Sequence, residues 1–169
     1  DIISLDGKVE DLKSALTLAH DAGMNMLRIG GTMIYEQDAF YDLCDELGIM
    51  VWQDFMFANM DYPVNDEAFH QNILAEANYQ IKRLSQHACI IFYCGNSEVE
   101  QQAAMLGIPN EMWRNDWFAN ELPALIKTLH EDSLYLPSSP SEGVFPFYTS
   151  EGVTHYYGVG AYLRDVNDV

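Results

Sequence analysis

Apolar residues recur along this chain with two periods, and the two periods alternate. From Lys8 to Ala22, Val9, Leu12, Ala15, Leu16 and Ala19 form one stripe at helical spacing, and Gly23 follows as a C-terminal cap. Met24 to Ile29 reads MNMLRI, a strand that runs into Gly30-Gly31-Thr32, either a plain turn or a loop whose backbone approaches a ligand. Gln37 to Leu47 predicts a second helix, with Phe40, Leu43, Cys44 and Leu47 inward and Gly48 at its end. Ile49 to Phe55, IMVWQDF, predicts a second strand that ends on Gln53 and Asp54. After a loop from Phe57 to Pro63, Asp66 is placed to cap a helix running to about Gln86, with Phe69, Ile73, Ala77, Ile81 and Leu84 facing in.

The next run, Cys89-Ile90-Ile91-Phe92-Tyr93-Cys94, is short, β-branched and aromatic, the pattern of a strand buried on both faces. Gly95 breaks it, and Asn96, Ser97 and Glu98 follow in succession. A wide aromatic segment from Met105 to Phe118 carries Trp113 and Trp117, and Asn120 to Glu131 predicts a helix with Pro123 in its first turn. Leu134-Tyr135-Leu136 reads as a fourth strand ending in Pro137-Ser138-Ser139-Pro140, and Val153 to Tyr157, VTHYY, as a fifth after a loop. Regular alternation of strand and helix implies an α/β fold with a parallel sheet. Five strands do not close an eight-stranded barrel, so the pattern leaves an open doubly wound sheet or a slice of a (β/α)8 barrel. No glycine-rich phosphate fingerprint is present, which counts against a nucleotide-binding sheet.

Charge narrows the partners. The 169 residues carry 26 acidic and 8 basic side chains, a formal charge of −18, against nucleic acid or an anionic membrane surface and compatible with neutral substrates such as sugars. Cys44, Cys89 and Cys94 have neither zinc nor disulfide spacing, and the five histidines are scattered, so buried free thiols, no metal site and no cofactor are expected. The chain has no N-x-Ser/Thr sequon, no bilayer-length apolar run and no leader-like start. It begins Asp1-Ile2-Ile3, as a piece of a longer sequence would, and the compartment stays open.

If the strands are parallel, their C-terminal ends bring polar groups to one rim: Arg28, then Gln53 and Asp54, then Asn96 and Glu98, then Ser138 and Ser139, then His155 with Tyr156. In a barrel that rim is where chemistry is done, and carboxylates, amides, aromatics and a histidine suit the binding of hydroxyl groups. Glu98 is the first candidate for a catalytic group; the plainer alternative is a solvated carboxylate opening the next helix. Arg28 and Asp54 can equally be a structural ion pair, His155 a hydrogen-bonded core histidine, and the three tryptophans packing.

Taken in order, DAGMNMLRIGGTMIYE, ELGIMVWQDFMFANMDYP, IIFYCGNSEVE, YLPSSPS and THYYGVG resemble the catalytic barrel of glycoside hydrolase family 2, β-mannosidase-like, over nearly all of the chain from about residue 8 onward. The resemblance implies a partial (β/α)8 TIM barrel covering about barrel strands two to six, a single segment incomplete at both ends. The parent chain would supply the remaining domains and the nucleophile. It makes Glu98 the general acid/base of a retaining exo-β-glycosidase, with a pKa raised in the free enzyme so that it acts as an acid near neutral pH. It also assigns Asp54 to sugar hydroxyls, Arg28 to support of the rim carboxylates, and His155 with Tyr156 to the glycone pocket.

Several positions depart from that pattern. The family's R-V-W-G-G appears as Arg28-Ile29-Gly30-Gly31, H-Y-W appears as His155-Tyr156-Tyr157, a further Trp is Gly160, and Ser97 stands where Asn usually precedes the acid/base, with Asn96 one place earlier. Loss of large aromatics removes stacking area and opens the pocket. The alternatives are therefore a non-hydrolytic carbohydrate-binding homologue, or a relative acting on β-glucosaminides, β-galactosides or β-glucosides.

Overall fold

The structure, a computed structural model, describes residues 7–146 and 148–168; the opening Asp1-Ile2-Ile3 lies outside them. The chain order is α1 (Val9–Asp21), β1 (Met26–Ile29), α2 (Asp38–Leu47), β2 (Met50–Asp54), α3 (Glu67–Leu84), β3 (Ile90–Cys94), α4 (Val99–Met105), α5 (Leu122–Leu129) and β4 (Leu134–Leu136). Each strand pairs in parallel with the next, in the order β1-β2-β3-β4. A doubly wound sheet reverses its strand order at a switch point. This one does not, and it is consistent with part of a (β/α)8 barrel.

The two faces of the sheet differ. Ile29, Val51 and Tyr93 point to one side and join Tyr41, Cys44, Ile81, Leu84, Leu122 and Ile126 of the helices in one buried core. On the other side Arg28 lies opposite Trp52, and Trp52 opposite Phe92. Here the guanidinium sits 5.3 Å from the Trp52 ring and Trp52 packs on Phe92 at 4.3 Å, both rings only half-buried. A register shift between Val51 and Trp52 keeps Asp54 beside Cys94, so the strand tips stay aligned.

Local chemistry fixes the element ends. The Asp66 carboxylate accepts the Phe69 N–H at 2.9 Å and starts α3. The helix expected from Asn120 begins earlier, as a π-helical turn over Trp117–Glu121 that continues into α5. Pro123 sits at the joint, where it has no N–H to give to a regular helical bond. The fifth strand, expected over Val153–Tyr157, does not form. Val153 instead makes an isolated antiparallel bridge with Ser141, N–H to carbonyl in both directions at 2.9 and 3.0 Å. The short β4 offers only three residues to its inner neighbour and no extended edge on which a further strand zips up.

Gly95 is required where β3 leaves the sheet: a Cβ there would stand 2.4 Å from the Pro137 carbonyl oxygen and 2.6 Å from the Tyr135 hydroxyl. G95A is expected to cost about 3 kcal/mol, the upper range for overpacking. A fall in the thermal unfolding midpoint checks it, and an unchanged midpoint would mean that the strand exit is not tightly packed.

Candidate active site

Parallel pairing continues past the strand ends as single bridges, Ala58 to Ser97 and Ser97 to Ser139. Ser97 N–H donates to the Phe57 carbonyl at 2.9 Å, Asn59 N–H to the Ser97 carbonyl at 3.0 Å, Glu98 N–H to the Ser139 carbonyl at 2.9 Å and Ser139 N–H to the Asn96 carbonyl at 3.0 Å. The three strand exits thus form one tied rim. Glu98 sits at the top of it with φ 64°, a left-handed backbone uncommon for a residue with a side chain, directly ahead of α4. Its carboxylate does not cap the helix. It turns to the C-terminal segment instead, where Oε1 lies 2.7 Å from His155 Nδ1 and accepts the Tyr157 hydroxyl at 2.5 Å. Met105, His155, Tyr156, Tyr157, Tyr162 and Arg164 line a hollow of about 400 Å3 against this pair.

Asp54 forms the second centre. It is fully buried, and its oxygens accept Arg28 Nη2–H at 2.7 Å, Arg28 Nε–H at 3.3 Å, Gly31 N–H at 2.9 Å and Trp52 Nε1–H at 2.8 Å. Burial pushes its carboxyl above the ordinary value, and these donors pull against that. Gly31 approaches this closely because it has no Cβ, which would stand 2.4 Å from the Phe57 carbonyl oxygen. Arg28 also reaches Ser97 Oγ at 3.4 Å, linking Asp54 to the residue before Glu98.

The expected site residues therefore divide. Glu98 and His155 are in contact, Tyr156 lines the hollow, and Arg28 joins Asp54 to Ser97. Asp54 has no exposed surface, and its oxygens are taken by protein donors. Asn96 is likewise buried, its amide spent on the Pro137 carbonyl, Val99 N–H and Ser138 Oγ–H. Ser139, expected on the rim, has its Oγ 2.9 Å from His155 Nε2, and two further neighbours of Glu98 lie outside the expected set: Tyr157, and Gln101, which donates to the Tyr157 hydroxyl at 3.0 Å. For Tyr157 a signal existed, since in an alternating run 155 and 157 share a side and 156 does not.

The pKa expected of Glu98 also differs. Burial acts to raise it, but bonds from Tyr157 and His155 outweigh burial and hold the carboxyl below its usual value of 4.5. Besides Asp54, a second carboxyl is raised, Glu100, which burial pushes up to about 7 against the pull of Arg114. At the opposite end of the sheet, Asp42 and Asp45 of α2 face His87 Nδ1 at 3.6 and 3.2 Å, so one histidine does meet carboxylates there.

No protein-family model matches the chain. Rat β-mannosidase (Rattus norvegicus) is 39% identical over 166 residues, covering 88% of this chain and 19% of its own length. The chain is a homologue of the β-mannosidases. Goat β-mannosidase (Capra hircus) is 52% identical over 96 residues, 57% of this chain and 11% of the goat protein. The crystal structure of the β-D-mannosidase from Dictyoglomus thermophilum superposes with a TM-score of 0.86 at 41% identity, over 95% of this chain and 20% of that one. The chain thus spans about a fifth of the relatives it matches, and within that fifth it is β-mannosidase-like, as its family 2 resemblance implies.

Two predictions follow from the two centres. D54N leaves Arg28 without its counter-charge in a buried pair and is expected to cost about 3 kcal/mol, read from the unfolding midpoint; no loss would mean that the pair is dispensable. Because the folded Glu98 carboxyl lies below 4.5, its contribution to stability is complete above that pH and is lost as pH falls through the folded value. Acid titration of stability should therefore be shallower below pH 4.5 in E98Q than in the parent, and parallel curves would refute the bonded carboxylate.

Proposed function

We propose that this chain is the acid/base-bearing part of a retaining exo-β-glycosidase that acts on terminal β-mannosides. In this reading β1 to β4 correspond to barrel strands two to five, and the segment around His155 leads toward the sixth. The rest of the barrel, and with it the second carboxylate, belongs to the parent chain. The observation that carries the proposal is Glu98 itself. It is a carboxylate at the tip of a parallel strand, beside a sugar-sized hollow, in a chain homologous to β-mannosidases.

A retaining mechanism uses two carboxyl groups about 5–5.5 Å apart. Glu98 protonates the glycosidic oxygen as the second carboxylate attacks the anomeric carbon, then takes a proton from the water that releases the sugar. With only this segment around it, Glu98 is held too acidic for the first step. A nucleophile carboxylate at that distance adds a like charge and raises its pKa, so the low pKa here and the raised one needed in catalysis belong to different charge states of one site. Arg28, anchored by Asp54, supports the rim, and Ser97 presents a short hydroxyl beside Glu98. Tyr156 and the hollow beside it receive the sugar.

In the complete protein, E98Q should lower kcat for a mannoside with a poor leaving group by at least about a thousandfold, within the range for loss of general acid/base catalysis. Mannosides with leaving groups that need no proton should suffer less in the first, bond-breaking step. Undiminished turnover of the poor substrate overturns the assignment; mannoside binding with no sugar release by the unmutated protein makes it a carbohydrate-binding homologue.

A further inference from the structure

Behind His155 and Tyr157 stand two more side chains, Ser139 and Gln101, each aimed at one of them, while Gln101 also helps hold the Glu98 carboxyl low and the Ser139 carbonyl accepts the Glu98 N–H. His155 Nδ1 is 2.7 Å from Glu98 Oε1, and its other nitrogen, Nε2, is 2.9 Å from Ser139 Oγ. The Tyr157 hydroxyl is 2.5 Å from the same Oε1 and accepts Gln101 Nε2–H at 3.0 Å. Ser139 and Gln101 are both 1% exposed, so neither is placed to touch a sugar. Gln101 leaves its own Oε1 buried and unpartnered among the described residues, a cost that a purely packing role has no reason to carry.

We propose that Ser139 and Gln101 are positioning residues that act on Glu98 through His155 and Tyr157, locking Oε1 and leaving Oε2 to give and take the catalytic proton. An ionised Glu98 only accepts, so His155 must carry its hydrogen on Nδ1. In the neutral form of the ring the lone pair is then on Nε2, and the Ser139 hydroxyl, 2.9 Å away, is the donor in reach. Gln101 fills the acceptor side of the Tyr157 oxygen, which leaves the phenolic hydrogen for Glu98. Both relays end on the same oxygen, so the carboxylate cannot rotate without breaking two charge-assisted bonds. The charged and titratable groups around Glu98 are His155 and Tyr157 from the C-terminal segment and Arg28 from β1.

The proposal rests on Glu98 being the acid/base, and one experiment on the complete protein separates the two. kcat and KM for a poor-leaving-group β-mannoside are measured across pH for the parent, E98Q, S139A, S139C and S139T. Without the hydroxyl the imidazole can take its other tautomer, Glu98 loses a donor to its charged form, and its pKa rises. S139A should move the alkaline limb of the rate profile up by about one unit and lower kcat about tenfold, with KM within about threefold. S139T, which keeps the hydroxyl, should return the limb toward the parent's position. S139C, close to serine in volume but a weak donor, should shift it in the same direction as S139A and serves if S139A does not fold. If E98Q is inactive while S139A or S139C keeps the parent's profile, the relay is wrong and the acid/base assignment stands. If E98Q keeps full turnover, the assignment fails first.

Discussion

Pairing carried one step beyond the sheet is the constraint on which this structure depends. β-strands normally part at their tips, and the residues that follow gain freedom. Here bridges from Ala58 to Ser97 and from Ser97 to Ser139 hold three exits together after the strands have ended. The Asn96 side chain, bonded to Pro137, Ser138 and the start of α4, braces the same junction from below. Only such over-determination keeps Glu98 at φ 64°. That backbone angle turns its side chain off the helix axis and toward His155 and Tyr157. The rim is rigid because its backbone donors and acceptors are spent on one another.

The two acidic centres of the rim show how environment separates identical chemistry. Asp54 is sealed from solvent and accepts four N–H donors, one pair of them from a guanidinium, so its charge is neutralised in place. Glu98 keeps a fifth of its side-chain surface exposed and is bonded to groups that can exchange protons with it. In a chain with a formal charge of −18, the few cations are placed with economy. Arg28 serves Asp54, Ser97 and the face of Trp52 at once. Arg83 joins Asp38, Gln80 and the Glu36 carbonyl in the same way between α2 and α3.

Local features of the fold were legible in the sequence because local physics decides them. The apolar stripes of α1 to α3, the Asp66 cap and the short apolar run of β3 ending at a glycine each carry their cause within a few residues. VTHYY misled for the same reason. Alternation says that a segment can be a strand, but a partner edge decides whether it is one, and here Ser141 took Val153 first. Asn96 looked like a ligand-binding amide from its position, and only the approach of Pro137 and Ser138 from another strand reveals it as a brace. Ser139 was placed on the rim, but its link through His155, 16 positions away, was out of reach, as was that of Gln101 through Tyr157, 56 positions away.

The half-covered sheet gives the last link between fold and function. Along the side without helices run Met26, 37% exposed, and Leu134, 60% exposed, with the half-buried Trp52 and Phe92 between them. A monomeric sheet does not keep such a face in water without cost, at about 25 cal/mol per Å2 of apolar surface. In the proposed barrel the same face is the interior, and the strands that cover it bring the second carboxylate. Completing the core and completing the active site are then one event. The apolar surface that drives closure lies directly beneath the rim where the two acids must meet.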